Sequence, residues 1–158
     1  MRNHINQSRT MTLDDILKMW AEDSKIDEVN LDVTSMKSAQ LHSKYLELYS
    51  LSKLQYKKGE LGMAVLKKDK WLYYNGKMSK EDMDSKGWNY DPFAGMAKPL
   101  KSDMDLFYET DADISKLRMK LDYQQVIVDS LKDILDNIKW RHTHIKNMID
   151  FRRFTAGV

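Results

Sequence analysis

Lys67-Lys68-Asp69-Lys70-Trp71-Leu72-Tyr73-Tyr74-Asn75-Gly76-Lys77 is the stretch of this chain best equipped for chemistry at a surface. Lysine ammonium groups neutralise phosphates and release their counterions, and Trp and Tyr rings stack on bases of any identity. Cations interleaved with aromatics therefore suit a single nucleic-acid strand held without sequence preference. Lys57 and Lys58 extend the cationic run upstream. The same composition also describes the end of an amphipathic helix whose aromatics face a core while its lysines are solvated, so the segment alone leaves both readings open.

Other constellations carry less. His142 and His144 stand two apart, a spacing that on a helix turns the rings about 200° from one another, so they do not chelate one ion as an i, i+4 pair does. Asp103, Asp105, Glu109, Asp111 and Asp113 depart from a calcium-binding loop, with no Gly at its sixth position and no bidentate Glu at its twelfth. Helix-start electrostatics accounts for part of that cluster and a partner-binding surface for the rest. A nuclease subunit using these acids is a third-ranked reading, tested by strand cleavage on adding Mg²⁺. Nothing matches Gly-x-x-x-x-Gly-Lys-Ser/Thr, and there is neither a nucleophile elbow nor a specific histidine–carboxylate pattern. The chain reads as a non-enzyme without metal or cofactor.

The elements that must position these residues are helical. Ile114, Leu117, Leu121, Gln124, Val128, Leu131, Leu135, Ile138, His142, Ile145, Ile149 and Arg152 follow an unbroken 3-4 spacing, a heptad seam. No Pro or Gly lies between Thr110 and Phe154, so one helix of roughly 67 Å can form, opened by a capping-box variant of Thr110 with Asp113. A helix of that length overshoots a domain this small. Leu121, Val128, Leu131, Leu135, Ile138, His142, Ile145 and Ile149 are therefore expected to meet identical subunits, His142 and Gln124 setting register or oligomer number. Upstream, Thr12 is a natural N-cap with Asp14 and Asp15 in the first turn of a short helix. A second long pattern from Thr34 or Ser35 places Leu41, Tyr45, Leu48, Leu51, Leu54, Leu61, Val65 and Leu72 on one face if the phase slips once near Leu51. Gly59 and Gly62 predict a kink or break, and Asn75-Gly76 a stop. Lys77 to Leu100 reads as irregular, with one short helix at Ser79 to Ser85. Residues 1–11 read as a mobile arm and 12–158 as a single helical domain for DNA binding and oligomerisation.

Composition agrees with an all-α fold: 158 residues, 42% apolar and 32% charged, hold only 6 Gly and 2 Pro. The absence of Cys excludes disulfides and thiolate metal sites and suits a reducing cytoplasm. There is neither a signal-peptide pattern nor a run long enough to span a membrane. The net charge of +2 conceals segregation, with a local balance of +6 from Lys53 to Lys80 and −6 from Glu81 to Asp113, before a basic end at Lys139, Arg141, Lys146, Arg152 and Arg153. Arg141, Lys146, Arg152 and Arg153 form a secondary candidate surface for DNA.

From Met11 to Val158 the chain resembles the UvsY-like recombination mediators of T-even-like bacteriophages. The resemblance rests on Ile138-Lys139, Arg141, Ile145-Lys146, Asp150, Arg152, Phe154 and Ala156-Gly157 at the end. It rests also on Lys68-Asp69-Lys70-Trp71 before Tyr73-Tyr74 and Gly76 in the middle, and on Leu13, Asp14 or Asp15, and Ile16 at the start. The family's middle motif is Lys-Ala-Arg-Leu. Here Asp69 replaces Ala, Lys70 replaces Arg, with loss of a bidentate phosphate grip, and Trp71 replaces Leu. The arm before Met11 is extra to the family pattern. The resemblance implies a ring-shaped homo-oligomer, a heptamer, that binds single-stranded DNA and helps the phage recombinase load onto DNA covered by the phage single-strand-binding protein, in the cytoplasm of the infected bacterial host. The alternative from residues alone is a non-catalytic helical scaffold or chaperone-type assembly protein. Steep salt dependence of binding separates the two.

Overall fold

The fold, a computed structural model describing residues 11–157, comprises α1 (Leu13–Asp23), α2 (Leu31–Tyr74), α3 (Lys80–Lys86), α4 (Met104–Thr110) and α5 (Ala112–Ala156), with a 3-10 turn at Lys101–Asp103. Among the described residues there is no strand, and no helix is long and apolar enough to cross a membrane. The expected arm lies, up to Thr10, outside the described residues. The chain divides into two compact units: one joins the segment ending at Lys53 to that beginning at Gln125, and the other is Leu54–Gln124. Helices α2 and α5 contribute to both.

In the first unit α1 is set by its expected cap. The Thr12 hydroxyl accepts the Asp15 amide at 3.2 Å, and the Asp15 carboxylate accepts the Thr12 amide at 3.0 Å, a reciprocal capping box. Ile16 then joins Tyr45 of α2 and Ile127, Leu131, Ile134, Leu135 and Ile138 of α5 in one core. Trp20 meets the Tyr45 ring edge-on at 5.4 Å. Tyr45 donates to Asp23 at 2.9 Å, so its buried hydroxyl is satisfied. This corrects the assignment of the 3-4 seam to identical subunits. Leu131, Leu135 and Ile138 pack against the chain's own α1 and α2, Val128 and Ile145 are buried as well, and Leu121 sits in the core of the other unit. A long helix needs a long partner, and α2 supplies it within the same chain. Of the expected interface only His142 is exposed and Ile149 half-buried.

The second unit holds two adjoining clusters, Met63, Ile114 and Leu121, and Tyr73, Tyr74, Phe93 and Met104. Here α2 differs from expectation in two ways. It does not break at Gly59: a Cβ there would lie 2.6 Å from Leu121 Cδ2, so the missing side chain lets Leu121 of α5 pack against α2 at this point, and the cost of glycine in a helix is offset by that packing. Nor does one slipping stripe run along it. Met63 and Tyr74 face the core while Leu54, Leu61 and Val65 are exposed, because two apolar stripes on opposite faces were merged. The helix stops as expected at Gly76 (φ 65°), where the Lys77 amide reaches back to the Leu72 carbonyl at 2.9 Å and the Gly76 amide to Tyr73 at 3.1 Å. The short helix α3 is capped by Ser79, whose hydroxyl accepts the Asp82 amide at 3.1 Å. Helix α4 carries Met104 into the core and went unforeseen, seven residues being too few for a period.

Candidate nucleic-acid interface

The Lys67–Lys77 segment ends α2, and helical geometry sorts its side chains inward and outward. Lys70 points in and is 4% exposed. Its ammonium lies 2.9 Å from Asp111 Oδ2, 2.7 Å from Asp113 Oδ2 and 3.9 Å from the centre of the Trp88 ring. The Trp88 indole N–H in turn donates to Asp113 at 2.9 Å. Tyr73 and Tyr74 also point in; Tyr73 packs on Trp88 with ring centres 5.0 Å apart, and the Tyr74 hydroxyl donates to Asp111 at 2.8 Å. Lys70, Tyr73 and Tyr74 were read from sequence as DNA contacts, and the structure turns all three into core. A buried ammonium persists only where carboxylates and a ring face replace its water, and these do. Trp88 was missed, since an isolated Trp in an irregular segment carries no local signal of the cation it will cover.

Asp111 also starts α5. Its Oδ1 accepts the amides of Asp113 at 3.0 Å and Ile114 at 3.1 Å, so the N-cap is Asp111 and not Thr110, whose hydroxyl donates back to Leu106 within α4. Burial acts to raise the Asp111 carboxyl, but the Lys70 ammonium, the Ile114 amide and the Tyr74 hydroxyl outweigh it and hold it below the ordinary aspartate value. A folded-state value below the unfolded one contributes stability that is present above the unfolded value, about 3.9, and lost as pH falls through the folded one. The urea midpoint of the parent is therefore expected to fall below about pH 4. Exposed Asp27 and half-buried Asp136 are lowered too, by the Asn30 and Lys139 side chains respectively, so the informative comparison is with Asp111→Ser, which keeps a capping hydroxyl. Its acid limb should be shallower, and an identical limb would remove Asp111 from the account.

The outward set remains for a ligand. Lys67 and Lys68 are exposed, and neither has a carboxylate partner among the described residues. Trp71 is 45% exposed and carries the Lys77 ammonium over its ring at 4.5 Å. Asp69, the acid inside the motif, is drawn off by Lys86 at 2.8 Å. Lys57 is exposed but paired with Glu60 at 2.9 Å, whereas exposed Lys58 lies beside Leu54 and Leu61 on a neighbouring face. Together Lys67, Lys68, Trp71 and Lys77 offer cations beside one available ring, which is what a phosphodiester strand with stacking bases requires.

The secondary candidates divide likewise. Arg141 is buried: its guanidinium donates to the carbonyls of Ser24 at 2.7 Å and Lys25 at 2.8 Å, closing the C-terminal end of α1. It is not available to DNA, while Lys146, Arg152 and Arg153 are exposed on α5. Several acids between Glu81 and Asp113 serve local structure, Asp82 at the α3 cap, Asp84 accepting the Tyr90 hydroxyl at 2.6 Å and Asp91 accepting the Phe93 amide at 2.9 Å. Among the described residues no His, Asp and Glu cluster could hold a metal ion.

Comparison with known proteins gives a consistent result. Residues 19–158 match the family described as recombination, repair and ssDNA binding protein UvsY. The recombination protein UvsY of Enterobacteria phage T4 is 28% identical over 147 residues, covering 93% of this chain and 99% of that protein. A crystal structure of the bacteriophage T4 recombination mediator protein UvsY superposes with a TM-score of 0.78 at 28% identity, covering 92% of this chain and 98% of the other. A second lattice of that protein gives 0.77 at 26% identity, covering 89% and 98%.

Proposed function

This chain belongs to the UvsY family of recombination, repair and ssDNA-binding proteins, and we propose from that premise that it is a non-catalytic recombination mediator. It binds single-stranded DNA through Lys67, Lys68, Trp71 and Lys77, with Lys57 at the margin. It does so as a homo-oligomeric ring, a heptamer, and it promotes loading of the phage recombinase onto DNA covered by single-strand-binding protein in the infected cell. The observation that carries the DNA reading is the pair Lys67 and Lys68, exposed and without a carboxylate partner among the described residues, one turn before the exposed Trp71. Repeated around a ring, a weak site of this kind gains by avidity, since each contact after the first is made at high effective concentration.

The test is a salt titration of single-strand binding. Lys67→Ala with Lys68→Ala is expected to weaken binding and flatten log affinity against log salt by roughly 0.7 for each lost phosphate contact. Trp71→Ala should cost about 1–3 kcal/mol per stacked base with little change in that slope. Because all three side chains are exposed, the far-ultraviolet spectrum should be that of the parent. Parental affinity with a parental slope would move the site to Lys146, Arg152 and Arg153.

A further inference from the structure

The ring offered to a strand is not bare. Trp71 is 45% exposed, and the Lys77 ammonium stands over its ring, 4.5 Å from the centre. The backbone arranges this contact. At the end of α2 the Asn75 side-chain amide donates to the Trp71 carbonyl at 2.8 Å, Gly76 turns the chain with φ 65°, and the Lys77 amide returns to the Leu72 carbonyl at 2.9 Å. The left-handed turn thereby folds the lysine stem back toward the last turn of the helix. Lys77 is itself exposed, so the ring face beneath its ammonium is one that opens to solvent.

What holds this cation differs from what holds those over Trp88. There Lys70 is also clamped by Asp111 at 2.9 Å and Asp113 at 2.7 Å, and Lys86 by Asp69 at 2.8 Å. Lys77 pairs with no carboxylate among the described residues. An ammonium held at an exposed site by a ring alone gains a factor of only roughly 2–5 from the contact, whereas a base stacked on a ring gains roughly 5–150. The base is the stronger occupant, and a displaced ammonium has phosphates to move to.

We propose that Lys77 is a removable cap on Trp71: a base of the bound strand takes the ring face that the ammonium holds in the free chain, and the ammonium passes to an adjoining phosphate. The assignment rests on the single-strand reading above and adds to it the order of occupancy at the ring. It makes Lys77 a positioning residue that acts through Trp71. The exchange couples two contacts, since the cation is freed for a phosphate when a base takes its place. A polyanion without bases finds that cation still engaged, so the site favours a base-bearing strand over a merely charged one.

Lys77→Ala tests it, because Lys77 enters the turn through its backbone amide, which Ala keeps. The probes are an ordinary oligothymidylate and the same strand with its phosphates replaced by uncharged methylphosphonates. The variant is expected to bind the ordinary strand less tightly, with a salt slope flatter by roughly 0.7. The uncharged strand should be bound more tightly, by roughly 2–5-fold for each ring engaged, and Trp71→Ala in the same chain should abolish that gain. Without any strand, Lys77→Ala should raise acrylamide quenching of tryptophan emission in the parent background and not in Trp71→Phe. An uncharged strand bound no more tightly by Lys77→Ala, as when the base uses the opposite face, would overturn the cap, and so would unchanged quenching. Parental affinity and slope for the ordinary strand in both Lys77→Ala and Trp71→Ala would overturn the single-strand site itself and the cap with it.

Discussion

Lys70→Met is expected to destabilise the folded chain by about 3 kcal/mol, the low end of the 3–5 kcal/mol for breaking a buried ion pair from one side. The charge removed is not the difficulty; the charge left behind is. Asp111 stays buried with its carboxylate short of a cation, and only the Tyr74 hydroxyl and the two amides at the start of α5 keep the loss from being larger. Trp88 loses the ammonium over its ring as well. The measurement is urea unfolding, with single-strand binding followed where the variant remains folded. A displaced midpoint with a parental salt slope is the expected pair of results. The reverse, parental stability with weakened and flatter binding, would falsify the internal role and return Lys70 to the interface.

Leu131→Ala is expected to cost about 2–5 kcal/mol, because Leu131 is 0% exposed in the core cluster it shares with Ile16 of α1 and Tyr45 of α2, and its truncation leaves a cavity there. For a chain of this size that lowers the melting temperature by on the order of 10 °C. The heptad reading of the sequence made this residue an oligomer contact, and the two roles separate in calorimetry combined with light scattering. As a core residue it should lower the melting temperature at every protein concentration while leaving the mass unchanged well below that temperature. Loss of mass at parental stability would restore it to the interface between copies.

These two residues also mark what the sequence could and could not disclose. Several helix limits were legible because their signals are local: Thr12 before α1, Ser79 before α3, Asn75-Gly76 after α2, and the Pro- and Gly-free run of α5; the cap of α5 was read one residue early, at Thr110 instead of Asp111. The seam of α5 was legible as a seam, yet its partner was not, since a 3-4 spacing is the same whether the facing helix belongs to the same chain or another. In α2 the apolar residues serve two faces, and a one-face template could absorb them only by inserting a phase slip. Lys70 was the least legible of all. Lysine is among the residues least often buried, and what holds it inside, Asp111 and Asp113, comes from the start of another helix. The cationic motif was thus wrongly treated as uniform. Helical geometry divides it into an exposed set of Lys67, Lys68, Trp71 and Lys77 and an internal set of Lys70, Tyr73 and Tyr74.

The division of labour at Asp111 has a consequence for which side chains that position can accept. One carboxylate oxygen takes two amides of α5 while the other takes the Tyr74 hydroxyl and the Lys70 ammonium. All four neighbours are donors, so the position needs two acceptor atoms on a stem short enough to reach back to its own helix. Asparagine has the shape but must aim its NH₂ either at the helix amides or at the ammonium, donor against donor. Glutamate has the acceptors but one methylene too many to keep the capping geometry, and serine or threonine can satisfy the helix only by abandoning the lysine. The position is thus closed to isosteric and homologous replacement alike, a stricter requirement than either a cap or an ion pair imposes alone.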